Sequence, residues 1–446
     1  MGASLLLVLA GCSNKSDKVK GGGTYTPLIT GISISTEPAV RGIPNQVTVL
    51  VTNVNGLPIT YHWKAASGAM TDTTAATATW TPPDTIGTYD LTVSIQAEEG
   101  DNHYFKTETY HVYVDNEFER WTRSEAIQMD EAPIPGGGFL YSEIRNNATG
   151  ESDVWRIDTP GGGSTQLTHG FFSATSPTPR ADKAVFDFRA VATGSAGLPG
   201  LWQLPWGGGD STTALLLARA NGNDQRSLVC PRFSRTAAYL LYGTDSVGFG
   251  YTADYPHPTF REAGALITAP YRLMGVDSTG SIVLGSVGFP FMNWGGPDGN
   301  SDGIPDSVIA QGVEFLGLQG NERNIGLYKF ASDVELHVND DPLPFLSDPT
   351  AGDPDWSPDG QHIVFTKRNG IAGDRDIWII NAHSSDPASA LRVTFGPADD
   401  SHPRFSEDGS TIYFISNRAD RYGLNGVFGT ERRGTNIWSV ERFDKP

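Results

Sequence analysis

Apolar and polar residues alternate with a period of two in short runs over much of this chain, and clusters of turn residues separate the runs. Early examples lie at residues 32–35, 47–51, 59–63, 76–80, 89–95 and 110–114, parted by Asn55-Gly56, Pro82-Pro83-Asp84 and Glu99-Gly100-Asp101. A period of two puts alternate side chains on one face of a strand, whereas a helix needs 3.6, and no long run carries the helical period. The pattern predicts an all-β protein. About seven short strands in ~90 residues imply two packed sheets, with Trp63 filling the space between them.

Beyond residue 116 the pattern changes to hairpins that repeat. The stretch DPDWSPDGQHIVF at 353–365 returns as SHPRFSEDGSTIYF at 401–414, Gly360 being answered by Gly409 after 49 residues. Pro358-Asp359-Gly360 and Glu407-Asp408-Gly409 supply a tight turn between two strands. A unit of this length cannot bury its own apolar face, so its recurrence predicts stacking of like units. Weaker copies run backwards through the chain: 290–330, 231–287 with a long insertion at 251–269, 177–217, and 138–168. Each hairpin is followed by a strand in the style of Asp376-Ile377-Trp378. After Val440 only Glu441 to Pro446 remain, with no such strand, but Glu119-Arg120-Trp121-Thr122 matches the closing strand Leu391-Arg392-Val393-Thr394 of the preceding unit. That amino-terminal segment is predicted to complete the last unit, which removes an open sheet edge.

The W-S-P-D-G-x-x-I-x-F pattern resembles the repeat of TolB-like β-propellers. The resemblance implies a propeller over residues 116–446, and the count of six units gives it six blades, closed by the amino-terminal strand. TolB itself carries an α/β domain before its propeller, which this chain lacks, so TolB's partners are not carried over. Residues 28–115, with Trp80-Thr81-Pro82-Pro83 leading to Tyr89 placed as a corner tyrosine, resemble a PKD or Ig-like bacterial domain without its bridging cysteines. Such a module serves as a binding module or as a spacer.

Composition adds location. The 446 residues carry a formal charge of −19, which argues against a nucleic-acid partner. Residues 5–10 are apolar and end in Leu9-Ala10-Gly11-Cys12, which resembles the lipobox of bacterial lipoproteins, although no Lys or Arg precedes it. Residues 1–27 then read as signal and tether. The resemblance implies a chain lipid-anchored through Cys12 to the bacterial cell envelope and otherwise exported and monomeric. Cys230 lies in an apolar strand and is expected to be a buried small hydrophobe.

Candidate chemistry is sparse. Asp298, Asn300, Asp302 and Asp306, with the carbonyl of Ile304, offer oxygens at the spacing that wraps a hard cation. The loop resembles thrombospondin type-3 calcium repeats and implies structural Ca²⁺. Ile309 stands where an EF-hand has its closing Glu, and the same residues also make an ordinary Asx-rich turn. Asp353, Asp399, Asp400 and His402 sit at like positions in the repeats and are expected to approach one mouth of a central channel, as ligand site or as turn caps. Trp202 and Trp206 read as sugar platforms or as packing. Nucleophile-elbow, HExxH, Walker and CxxC signatures are absent. The expectation is a non-catalytic scaffold engaging an envelope protein or glycan. The alternative is a polysaccharide enzyme of the oligogalacturonate-lyase kind, or a hydrolase, which needs His257, His337, His362 and His402 to cluster.

Overall fold

The computed structural model describes residues 27–36, 38–53, 56–146, 151–171, 174–180, 183–188, 200–210, 212–219, 228–233, 239–244, 257–262, 271–272, 274–276, 282–283, 287–288, 292–295, 307–314, 323–329, 337–339, 343–346, 350–368, 374–384, 386–421 and 434–441. The Asp298–Asp306 loop and Cys12 lie outside these residues. The chain forms two compact units, one built mainly from Met1–Glu117 and the other mainly from Phe118–Val393, Ala398–Arg421 and Gly429–Pro446.

The first unit holds two four-stranded sheets. One has the order Leu28–Ile34, Asn45–Thr52, Thr77–Thr81, Ala69–Thr71, and the other Ala39–Val40, Asn102–Asp115, Gly87–Glu99, Ile59–Ala65. Every pairing is antiparallel except Ala39–Val40, which runs parallel to Val114 and Asp115. The two-residue and three-residue strands are too short for alternation to reveal. Between the sheets lie Trp63, Trp80, Val47, Leu91, Val93 and Val112. Trp63 is buried as its pattern predicts, and its indole N–H donates to the Ala75 carbonyl at 3.0 Å. Trp80 is a second such anchor, its N–H donating to the Ser67 carbonyl at 3.0 Å. Gly68, with φ +82°, makes room for it: a Cβ there would stand 2.3 Å from the Thr81 carbonyl oxygen. The Tyr89 hydroxyl donates back to the Thr85 carbonyl at 3.1 Å, fastening the corner.

The second unit is a succession of antiparallel meanders. Four-stranded sheets cover residues 128–166, 174–219, 228–272 and 351–392, and a five-stranded sheet lies between the third and the last of these over 287–346. The last sheet orders Asp400–Phe405, Thr411–Ser416, Asn436–Glu441 and then Glu119–Arg120. The amino-terminal segment therefore completes it, with Arg120 opposite Trp438 and Glu119 opposite Ser439. First strands pack in turn: Gln128–Pro133 on Ala174–Arg180, that on Leu228–Phe233, then Met292–Gly295, Ala351–Trp356, Asp400–Phe405, and back to Gln128–Pro133. Apolar side chains fill the spaces between sheets. Val364, Ile379, Phe405 and Phe414 lie between the 351–392 sheet and the last one, Trp121, Phe139, Tyr141 and Tyr413 between the last sheet and the 128–166 one, and Leu140, Val154, Phe171 and Trp202 between the first two. Because the 351–392 sheet is covered on both faces, its strand His362–Arg368 reads as a continuous apolar run rather than an alternating one.

One sequence expectation is corrected. The 251–269 segment, read as an insertion, supplies the third strand of its sheet, His257–Glu262, paired with Tyr239–Thr244. Met274–Val276 and Ile282–Val283, assigned to that unit, instead join His337–Asn339 in a separate three-stranded sheet with one parallel pairing. His257 and Pro258 head the strand without the aliphatic-Trp pair of Val154-Trp155, Leu201-Trp202, Ile377-Trp378 and Ile437-Trp438, so the apolar pattern pointed to the next available run.

Candidate functional site

The first strands of five sheets carry the same irregularity. Pairing with the second strand skips between Met129 and Ala132, Thr175 and Thr178, Val229 and Arg232, Gly352 and Asp355, and Ser401 and Arg404. These are β-bulges, in which an extra residue bends the strand and re-aims a side chain. Asp130, Ser176, Asp353 and His402 occupy equivalent bulge positions with φ of 55°, 50°, 48° and 51°. In four of the five sheets the next residue is Pro177, Pro231, Pro354 or Pro403, which needs no ladder donor at a bulge. Left-handed backbone costs a non-glycine residue of order 1 kcal/mol or more and persists where the surroundings over-determine it. Its recurrence makes it part of the repeat, and it turns four polar side chains in one sense.

Three of these residues meet. The Ser176 hydroxyl donates to Asp130 Oδ2 at 3.3 Å, and His402 Nε2 lies 4.0 Å from Asp130 Oδ1. The Ser176 backbone N–H also donates to the Ser142 hydroxyl at 3.1 Å. The composition matches a nucleophilic triad but the order does not, since the carboxylate rather than the imidazole holds the middle place.

Of the aspartates singled out in the sequence, Asp399 pairs with Arg375 and Asp400 with Arg418. The Arg375 guanidinium donates to both Asp399 oxygens at 2.9 and 3.0 Å, and the Arg375 backbone N–H adds a third bond at 3.2 Å. Burial opposes its charge, yet the hydrogen bond to Asp399 and the charges of Asp399, Asp353 and Asp400 raise its pKa further. Asp400 is buried and bonds Arg418 at 2.8 Å. The Arg418 guanidinium lies 3.8 Å from the Phe118 ring centre, with Phe414 and Trp438 beside it at 5.1 and 5.6 Å. An arginine desolvated this way keeps its charge through the carboxylate and the aromatic faces.

Thus His402 faces Asp130, whereas Asp399 and Asp400 face arginines. The sequence reading missed Arg375, Arg418, Asp130 and Ser176. Asp130 and Ser176 were findable, because each sits where His402 sits in its own repeat. Arg375 and Arg418 lie outside the repeated pattern and were not.

The remaining expectations divide. Trp202 is buried against Phe171, as packing requires, and the Trp206 ring is covered by Arg156 at 4.8 Å. His362 begins the second strand of its sheet, its backbone N–H donating to the Ser357 hydroxyl at 2.8 Å, while His402 lies in a first strand of the next sheet. Among the described residues no three His, Cys, Asp or Glu stand close enough to hold a metal ion. The calcium ligands lie outside the described residues.

The sequence matches no family model, and no curated protein is significantly similar. Among solved structures the chain is similar to TolB from Acinetobacter baumannii, at 14% identity over 79% of this chain and 77% of that one, with a TM-score of 0.41. It is also similar to a gluconolactonase from Xanthomonas campestris, at 10% identity over 73% and 87% with a TM-score of 0.45. A third is an oligogalacturonate lyase in complex with manganese, at 12% identity over 91% and 99% with a TM-score of 0.40. At these values none of them speaks to chemistry, and the fold description rests on the strand order above.

Proposed function

We propose that this chain is a non-catalytic cell-envelope lipoprotein whose second unit is a six-bladed propeller serving as a binding scaffold. In this reading Cys12 carries the lipid, residues 28–115 are an Ig/PKD-like spacer, and the propeller engages an envelope protein or glycan at its channel mouth. The packing of six first strands, each on the next and the last on the first, supports the blade count. The convergence of His402, Asp130 and Ser176 on left-handed bulges carries the functional reading. It places polar groups from the last, first and second sheets together on the innermost strands, where such folds receive ligands. Asp399 and Asp400 then act through Arg375 and Arg418 as ties that keep those strands in register.

A photo-crosslinking residue at position 402 of the full chain, expressed in bacteria, tests the reading. Capture of one discrete envelope protein or glycan at 402, but not at the exposed Glu441, is the expected result. Absence of any adduct at 402, or cleavage of oligogalacturonides by the purified chain, would replace it. In the same cells Cys12→Ser is expected to move the chain from the membrane pellet to the soluble fraction.

A further inference from the structure

The seam between the last and first sheets of the second unit holds a cavity of about 260 Å³. Trp121, Tyr141, Trp155, Gln128 and Glu143 line it, together with the exposed Arg123. Leu167 donates its backbone N–H to Val154, Val393 to Ile377, and Trp121 to Ile437, so the three residues are equivalent. At the seam the aliphatic side chain of the other two sheets is replaced by an indole. Trp121 lies 5.1 Å from Phe139 and 5.5 Å from Tyr413, ring centre to ring centre, and its N–H donates to the Ser439 hydroxyl at 2.9 Å. Its carbonyl accepts from Gly161 at 2.9 Å, which draws the 159–164 turn to the rim.

The lining is organised before any ligand arrives. Gln128 donates through Nε2 to Glu143 Oε2 at 2.9 Å, while its own Oε1 accepts from the Thr122 hydroxyl. The Glu143 carboxylate is thereby held in the wall with capacity for further hydroxyl donors. Tyr141 interacts with Ser164 through its phenol, and burial keeps that phenol protonated. Trp155 is half-buried.

Aromatic faces accept the apolar C–H face of a sugar ring, and a fixed carboxylate with neighbouring hydroxyls suits its vicinal hydroxyl groups. The volume equals on the order of nine waters at ~30 Å³ each, room for one ring rather than an oligosaccharide. We propose that this cavity binds a single pyranose unit of an envelope glycan. The assignment rests on the glycan arm of the scaffold reading and gives it a second, separate contact point.

Saturation-transfer NMR and calorimetric titration of the full chain with methyl β-glucopyranoside, N-acetylglucosamine and glucuronic acid test it. Saturable binding of at least one of the three is expected. Trp155→Ala is expected to weaken binding about tenfold or more, as loss of an aromatic face should. Glu143→Gln, which keeps the shape, is expected to weaken it several-fold with an unchanged melting midpoint, and His402→Ala to leave it unaltered. Absence of saturable binding by all three sugars overturns the assignment, as does binding indifferent to both cavity substitutions. A glycan captured at position 402 with no sugar at the seam leaves the channel reading standing and removes this one. A sugar at the seam with nothing captured at 402 does the reverse.

Discussion

At the residue scale, the most consequential pair is Arg418 with Asp400, both almost wholly buried. Removing one partner of such a pair strands the other charge, at a cost of about 3–5 kcal/mol. Arg418→Met is therefore expected to destabilise the chain by about that amount in urea unfolding, and Arg418→Met with Asp400→Ala to recover most of it. A double-variant loss equal to the sum of the two single losses would mean that the pair is not coupled. Tyr141 allows a pH test. Burial holds its phenol above the usual value of 10.0, so the folded chain keeps that proton more tightly than the unfolded chain does. The stabilising contribution is complete below about pH 10 and is lost as pH rises beyond it. The melting midpoint of Tyr141→Phe is expected to fall less steeply than that of the parent between about pH 10 and 11, the residual slope coming from Tyr110 and Tyr413, which burial shifts the same way. Parallel slopes would remove Tyr141 from the account.

At the scale of elements, the two clear repeats agree bond for bond. Ser357 accepts at its hydroxyl from His362, and Ser406 from Thr411, at 2.8 and 3.0 Å. Asp359 accepts from the Gln361 N–H and Asp408 from the Ser410 N–H, each at 2.9 Å, with Gly360 and Gly409 at φ 72° and 68°. These acidic residues are turn chemistry, which explains why a stretch so rich in aspartate is not itself a site. The closing strand obeys the same economy. Arg120 bonds Asn436 and stands over Trp438, as Arg392 bonds Asp376 and stands over Trp378. Trp121→Pro removes the donor to Ile437 and is expected to cost about 3 kcal/mol or more and to cause concentration-dependent aggregation, because the Asn436–Glu441 edge opens. Trp121→Leu keeps that bond and is expected to lose less stability and stay dispersed. Light scattering with melting curves separates the two, and equal behaviour would show that the strand does not protect the edge.

At the scale of the whole molecule, the Asp298–Asp306 loop bears on stability if it holds a cation in the folded chain. A ligand bound to the folded form alone raises the midpoint by about 2.7 kcal/mol of stability at a hundredfold excess over its dissociation constant. Calcium is expected to raise the melting midpoint, chelator to lower it, and Asp302→Ala to abolish the difference. Identical curves would assign the loop to ordinary turn chemistry. The all-β character, the 49-residue repeat and the borrowed closing strand were legible in the sequence, because they depend on local periodicity, turn chemistry and residue-by-residue likeness between units. The third strand at His257–Glu262 was not, since it lacks the apolar signature of its relatives and is specified by the neighbour it pairs with. The pairing of Asp399 with Arg375 and of Asp400 with Arg418, the turn of His402 toward Asp130, and the seam cavity beside Trp121 required tertiary structure. Each joins residues far apart in the chain, and sheet stacking rather than local sequence sets the distances between them.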